Sequence, residues 1–384
     1  MVMILTVGID ASVIASGAGG TRVYALQLLK HLIDRRKEWT FVLYLRGRVD
    51  DEQFDSLTGA LNVQTRTVNA GPNAWRVQVA LPSRLQADGI DLYHSLGFFL
   101  PVRWKGPKVV TIHDLNMFAN VRNWWRGPTM VSWLDLSLQT PISIRVADHI
   151  VTDSESSRNQ ILRMMRVPAE RITVIPLAAD PFFGETPSLS ELAEATALVS
   201  GQPFVLCVGI LSPQKNLLTL VQAFAKSNLP AVGVRLLIAG SDRENYGSTI
   251  RRQAKSLGVE AAVDLPGFIS TAMLRALYRR ALCLVLPSHG EGFGLPLVEA
   301  MASGTPILAA NRQAIPEVLG EAGRLFEPRD VDTLSGLLNS VATNARFRDD
   351  LARRSRLGHA RFSWEKTADA TAEVYEHVMA RRRL

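Results

Sequence analysis

Residues 282–301 read Leu282-Cys283-Leu284-Val285-Leu286-Pro287-Ser288-His289-Gly290-Glu291-Gly292-Phe293-Gly294-Leu295-Pro296-Leu297-Val298-Glu299-Ala300-Met301. An apolar run stops at a glycine-rich turn, and a helical pattern opens near Leu295 with Pro296 in its first turn. Strand, glycine turn and helix in that order make the repeating unit of a doubly wound α/β sheet, and such sheets bind ligands at those turns. Backbone N–H groups at the helix start face an anion, and the glycines let a phosphate or sugar approach closely. Two carboxylates stand eight positions apart. Glu291 is placed in the loop and Glu299 about one helical turn inside, where a carboxylate can accept both hydroxyls of a vicinal diol. Taken singly, Glu291 could merely favour the helix dipole and Glu299 could be a solvated surface residue. The complete string argues for a site.

Outward from this stretch, short apolar runs alternate with amphipathic helical patterns along almost the whole chain, the signature of βαβ units and parallel sheets. Strands are expected at 3–9, 40–45, 61–68, 91–95, 108–113, 149–153 and 171–176, then at 203–209, 234–240, 262–267, 282–288 and 305–311. Between the two sets, around residues 180–203, strand character is lost and Pro, Gly and Ser appear. This division predicts one Rossmann-like domain over 1–180, a connection over 181–202, a second Rossmann-like domain over 203–362 and a final helix over 363–384 able to pack on the first domain.

The 384 residues suit two α/β domains, and 47% hydrophobic with 21% charged is a globular composition that excludes a chain disordered throughout. Cys207 and Cys283 lie in apolar runs and read as reduced core residues of a cytoplasmic protein. No run reaches the roughly 18–20 apolar residues of a membrane span. The opening run reads as a first strand, with no basic leader. The net charge of +7 permits an anionic partner without choosing one. Residues 1–180 carry 20 basic and 16 acidic side chains, so no half is a dedicated basic module and no nucleic-acid partner is expected.

The 288–301 string resembles the donor-binding motif of glycosyltransferase family 4, retaining enzymes whose hallmark is two glutamates separated by seven residues. The resemblance continues along the chain. Gly19-Gly20-Thr21-Arg22-Val23-Tyr24 is similar to the family's first glycine-rich loop, and His113-Asp114 to its central pair. Val151-Thr152-Asp153-Ser154-Glu155-Ser156-Ser157 with Val174-Ile175-Pro176 is similar to the end of its first domain. Val208-Gly209-Ile210-Leu211-Ser212-Pro213-Gln214-Lys215-Asn216 resembles the loop opening its second domain. The resemblance covers about residues 5 to 330. It implies the GT-B fold, two doubly wound Rossmann-like domains with parallel sheets facing across a cleft.

It also implies roles. Lys215, His113 and Glu291 are expected to be catalytic, with Lys215 meeting the charge of the departing diphosphate and His113 contacting the transferred sugar. Gly19, Gly20, Gly292, Phe293, Gly294, Leu295 and Glu299 are expected to hold the donor, and the loops bearing Gly240 and Phe268 to read the base. Asp114 could orient His113 or cap the next turn. Where the family often has a second phosphate-binding arginine, this chain has Ile210 and Gln214; Arg22 and Arg243 are candidate substitutes. Arg22, Tyr24, Trp124, Trp125 and Arg126 are candidates for the acceptor or an anionic membrane surface, since aromatics among arginines suit a lipid-linked diphosphate.

Competing motifs are weaker. Gly17-Ala18-Gly19-Gly20-Thr21-Arg22 lacks the third glycine of a dinucleotide fingerprint and meets Arg46, with no acid, after the second strand. Asp330-Val331-Asp332 could bind metal, but it precedes a helical pattern and reads better as an N-cap. No cluster has zinc spacing. The resemblance implies a metal-independent, retaining hexosyltransferase without cofactor. The favoured reading is mannose from GDP-mannose to a lipid-linked or oligosaccharide acceptor in bacterial surface-polysaccharide synthesis. A UDP-sugar donor, a sugar-nucleotide epimerase and a non-catalytic sugar-nucleotide-binding protein are the alternatives.

Overall fold

The computed structural model describes residues 3–16, 19–69, 71, 73–119, 130–242 and 245–382. The chain divides into two compact units, Met1–Leu177 with Ser363–Leu384, and Ala178–Phe362. Among the described residues, each unit is built on one wholly parallel sheet.

The first sheet holds β1 (Thr6–Asp10), β2 (Thr40–Leu45), β3 (Val63–Thr67), β4 (Leu92–Ser95), β5 (Lys108–Thr111), β6 (His149–Thr152) and β7 (Ile172–Val174). Their spatial order is β3-β2-β1-β4-β5-β6-β7. The second holds β8 (Phe204–Val208), β9 (Arg235–Ala239), β10 (Val263–Gly267), β11 (Cys283–Leu286), β12 (Ile307–Ala310) and β13 (Arg324–Phe326), in the order β10-β9-β8-β11-β12-β13. Strand order reverses between β1 and β4 in one sheet and between β8 and β11 in the other, which makes these the ligand-binding switch points.

Central strands are buried on both faces, as β4, β5, β6, β11 and β12 show residue by residue. That is why they read as continuous apolar runs. β13 went unread because it is a three-residue edge strand with two exposed positions.

The stretch 181–202 is not a free connection. It forms a short turn at Pro181–Gly184 and a helix at Leu189–Leu198, and both belong to the second unit. Ser188 and Glu191 make a capping box, and the Glu191 carboxylate also takes Arg275 at 2.7 Å. Phe183 is buried with its ring 5.7 Å from that of Tyr278. The last helix, Trp364–Arg382, belongs to the first unit and lies against the helix Gly20–Arg35. Arg35 Nε donates to Asp369 at 2.8 Å, and Thr367 to the Pro176 carbonyl at 2.7 Å. Cys207 and Cys283 are free and buried.

Candidate active site

In the second unit, two loops leave the sheet at its switch point. The loop after β8 begins at Gly209 and the neighbouring strand β9 is followed by Gly240, at φ of +148° and +156°. A Cβ on Gly240 would stand 1.9 Å from the Gly209 carbonyl oxygen, so the close backbone approach at these strand ends requires glycine. The loop then turns at Asn216, whose left-handed backbone (φ 53°) suits asparagine. Its buried carboxamide donates to the Pro287 carbonyl at 3.0 Å and the Pro328 carbonyl at 2.6 Å, tying the β8 loop to those after β11 and β13.

This scaffold sets Lys215 Nζ 2.6 Å from Glu291 Oε1, which also accepts the Ser288 hydroxyl at 2.6 Å. The two side chains are 20% and 12% exposed, so the pair is largely shielded yet reachable. Gln214 donates to the Gly290 carbonyl at 3.0 Å and is part of the scaffold. Arg243 lies outside the described residues.

Gly292, Phe293 and Gly294 are buried, and the Phe293 ring packs edge-on against Phe362 at 5.7 Å. What the loop offers at Phe293 is therefore backbone. Gly294 (φ +97°) caps the helix Leu295–Ser303, with Pro296 in its first turn and Leu295 half-buried. Glu299 follows in this helix and accepts the Tyr278 hydroxyl on Oε2 at 2.8 Å. Burial pushes the Glu299 carboxyl up to about 7; the Tyr278 hydrogen bond partly offsets this and Asp180 adds to it. Near neutrality it is poised between a carboxylate that accepts two hydroxyls and an acid that donates to one. Phe268, after Gly267 (φ +81°), is 67% exposed, and the Gly240 N–H donates to the Gly267 carbonyl at 2.8 Å. The loops carrying Gly240 and Phe268 are thus held side by side.

A stability consequence follows from Glu299. Its folded pKa is raised, so between about 4.5 and 7 the unfolded chain is ionised while the folded chain keeps the proton. This group therefore favours folding at acid pH and opposes it as pH rises through 7. Glu299→Gln should stabilise the ligand-free protein at pH 8 by on the order of 2 kcal/mol, discounted for partial exposure, with the gain vanishing below about pH 4. Thermal melts at both values check it; an equal shift at both would mean that the carboxyl titrates normally.

In the first unit, His113 follows β5 and donates through Nδ1–H to Asp153 Oδ2 at 2.7 Å. Burial resists protonation of the imidazole. The Asp153 carboxylate outweighs it by charge and hydrogen bond, with Asp114 and the Leu96 backbone adding, and the pKa stands above its ordinary value. Nε2 is buried and without a hydrogen bond among the described residues. Asp114 caps the next turn, accepting the Asn116 N–H at 2.9 Å, so Asp153 is the residue that orients the ring. Sequence reading quoted Asp153 without a role. The signal was present: it follows β6, the strand beside β5.

The loop candidates at the amino end fare differently. Gly19 (φ +154°) caps the helix Gly20–Arg35, and both glycines are exposed. Arg22 forms an ion pair with Asp51, so it is no unpaired substitute for a phosphate-binding arginine. Tyr24 is buried, 1% exposed, with its hydroxyl 2.9 Å from Thr111 Oγ1 and its ring edge-on to His113 at 4.8 Å. It supports His113 from behind and is not an acceptor-facing side chain. Trp124, Trp125 and Arg126 lie outside the described residues. Asp330 caps the helix Val331–Thr343 through the Thr333 N–H, and Asp332 pairs with Lys226, as the capping reading expected. Among the described residues, no group of three His, Cys, Asp or Glu is placed to hold a metal.

Two family models match, "Glycosyltransferase Family 4" over residues 18–181 and "Glycosyl transferases group 1" over 190–357. The chain is 29% identical to O-antigen chain mannosyltransferase B of Escherichia coli, over 74% of each chain. It is 31% identical to an MMP alpha-(1->4)-mannosyltransferase of Mycolicibacterium hassiacum, over 72% of this chain and 66% of that one. The solved structure of HepE from Anabaena with UDP and glucose superposes at a TM-score of 0.73 with 19% identity, covering 97% of this chain and all of that one. Two doubly wound sheets with a glycine loop and paired glutamates at the second switch point, together with these matches, show that the chain belongs to glycosyltransferase family 4 and has the GT-B fold.

Proposed function

We propose that the protein is a retaining, metal-independent hexosyltransferase that moves mannose from GDP-mannose to a lipid-linked or oligosaccharide acceptor in bacterial surface-polysaccharide synthesis. The observation that carries the reading is the Lys215–Glu291 pair, 2.6 Å apart, at the switch point of the second sheet. A cation held there meets the charge that develops on a departing nucleoside diphosphate. Glu299 binds the ribose diol, the backbone of residues 292–295 cradles the phosphates, and Gly240 and Phe268 flank the base. His113, with its ring fixed by Asp153, contacts the transferred sugar.

In the reaction, the acceptor oxygen attacks the anomeric carbon on the face the diphosphate leaves. The bond to the phosphate oxygen breaks, and that oxygen takes the acceptor's proton. Mannosyltransferase relatives support mannose and polysaccharide synthesis. Among the described residues no helix is long and apolar enough to cross a membrane; we place the enzyme in the cytoplasm, with Arg122, Trp124, Trp125 and Arg126 as its contact with an anionic lipid surface.

A thermal-shift panel of GDP-, UDP- and ADP-sugars tests the donor. A donor at 100 times its Kd stabilises by about 2.7 kcal/mol. GDP-mannose is expected to give the largest shift; a larger shift with a UDP-sugar would replace the nucleotide, and none with any would refute the site. Turnover should persist in EDTA, because Lys215 supplies the positive charge. Loss of activity restored by Mn²⁺ would overturn metal independence.

A further inference from the structure

At the opposite end of the first sheet from His113, the amino ends of β6 and β7 and the last turn of the helix Trp364–Arg382 line a cavity of about 540 Å³. Four guanidinium groups, Arg145, Arg171, Arg381 and Arg382, surround it against one carboxylate, Asp148. Two of the four have structural work. Arg171 donates to the Ile144, Arg145 and Ala147 carbonyls at the end of the helix Met130–Val146, and Arg382 is held by Asp148 at 2.8 Å and the Lys105 carbonyl at 2.7 Å. The guanidinium groups of Arg145 and Arg381 have neither ion pair nor hydrogen bond among the described residues. Cations at helix carboxyl ends are favourable, but that effect is small at exposed sites and does not call for three charges left uncompensated among the described residues on one cavity.

A second observation points to a ligand. His149, at the start of β6, is 4% exposed and lines the same cavity, its ring 6.1 Å from that of His377. Nε2 lies 2.7 Å from Thr173 Oγ1, while the buried Nδ1 has no partner. Burial, then the charges of His377, Arg171 and Arg381, push its pKa down to about 4, so the ring is neutral at pH 7. The Thr173 contact admits either tautomer of the neutral ring; in the one where the Thr173 hydroxyl donates to Nε2, the ring proton sits on Nδ1 without an acceptor, and an anion at Nδ1 selects that form. A buried N–H without an acceptor is destabilising. An anionic oxygen would satisfy it, and guanidinium forks match the oxygens of phosphate.

We propose that this cavity is an anion site for a phosphate group, taken between Arg145 and Arg381 and hydrogen-bonded by His149 Nδ1. It stands apart from the donor site and does not depend on the function proposed above. The phosphate belongs either to a soluble phosphate ester or to a lipid headgroup, and two arms separate them.

In the first arm, inorganic pyrophosphate is titrated into the full chain while the ¹⁵N-labelled His149 ring is followed by NMR. A saturable shift is expected, and the Arg145→Ala/Arg381→Ala double variant should weaken it about tenfold or more. Both side chains are exposed and unpaired, so the fold should persist. Lys215→Ala should leave the His149 titration unchanged, which separates this site from pyrophosphate bound at the donor loops. In the second arm, sedimentation with phosphatidylcholine vesicles, with and without phosphatidylglycerol, reads lipid phosphate. Binding that needs the anionic lipid and is lost in the double variant supports a headgroup; a His149 shift with pyrophosphate alone supports a soluble ester. No saturable His149 shift together with no vesicle binding that needs the anionic lipid, or equal affinity in the double variant, would overturn the site.

Discussion

Lys215→Ala should lower kcat/KM by about 10²–10³, while donor affinity falls far less. The lysine is held by Glu291 in the resting site, and the Glu291 carboxylate keeps the Ser288 hydroxyl when the lysine is removed. The ground state therefore loses one of several contacts to the nucleotide. On the proposed function, the transition state loses the cation that meets new negative charge as the phosphate departs, and only interactions stronger there raise the rate. Truncation also leaves Glu291 without its cation beside the donor phosphates, adding repulsion. Steady-state kinetics with donor calorimetry check the split. Equal losses in affinity and kcat/KM would make Lys215 a uniform binding group.

Asp153→Asn should reduce kcat by about 10², because the neutral amide no longer enforces one imidazole tautomer at His113. Donor affinity should change little, since Asp153 is buried and acts through the His113 ring. The pH dependence carries the sign. Asp153 raises the His113 pKa, so its removal should move the His113 limb of the kcat/KM profile to lower pH. The same pair contributes stability that is fully present below the unfolded pKa of about 6.5 and fades as pH rises through the higher folded value. The variant's melting deficit should accordingly be larger at pH 5.5 than at pH 9. An unchanged profile with lost stability would leave Asp153 a packing residue alone.

Much of the fold was legible because parallel strands buried on both faces spell themselves as apolar runs, as Leu282–Pro287 does. The 288–301 string was legible for a related reason: its glycines, proline and glutamates each meet a local backbone or charge requirement. Pairings between distant loops were not. Asp153 opposite His113, Asp51 opposite Arg22 and Tyr278 opposite Glu299 depend on which strands and helices lie side by side, and local periodicity carries no register of that kind. Tyr24 shows the same limit. Its position in a glycine-loop motif suggested exposure, yet the helix turns it inward to a polar chain of Thr111, His94 and Tyr375. Residues 181–202 lacked strand character because they form a turn and a helix, and Arg275 holds both in the second unit.

The central claim is that the loops carrying Lys215, Glu291 and Glu299 release a nucleoside diphosphate while the sugar passes to an alcohol with its configuration kept. The most direct measurement incubates the enzyme with GDP-α-mannose and an alkyl mannoside acceptor. It reads the anomeric configuration of the new linkage from its one-bond carbon–proton coupling, alongside GDP release. The account expects an α-linkage formed in step with GDP, and lost in Lys215→Ala. A β-linkage, or no nucleotide released from GDP-, UDP- or ADP-sugars, would contradict it.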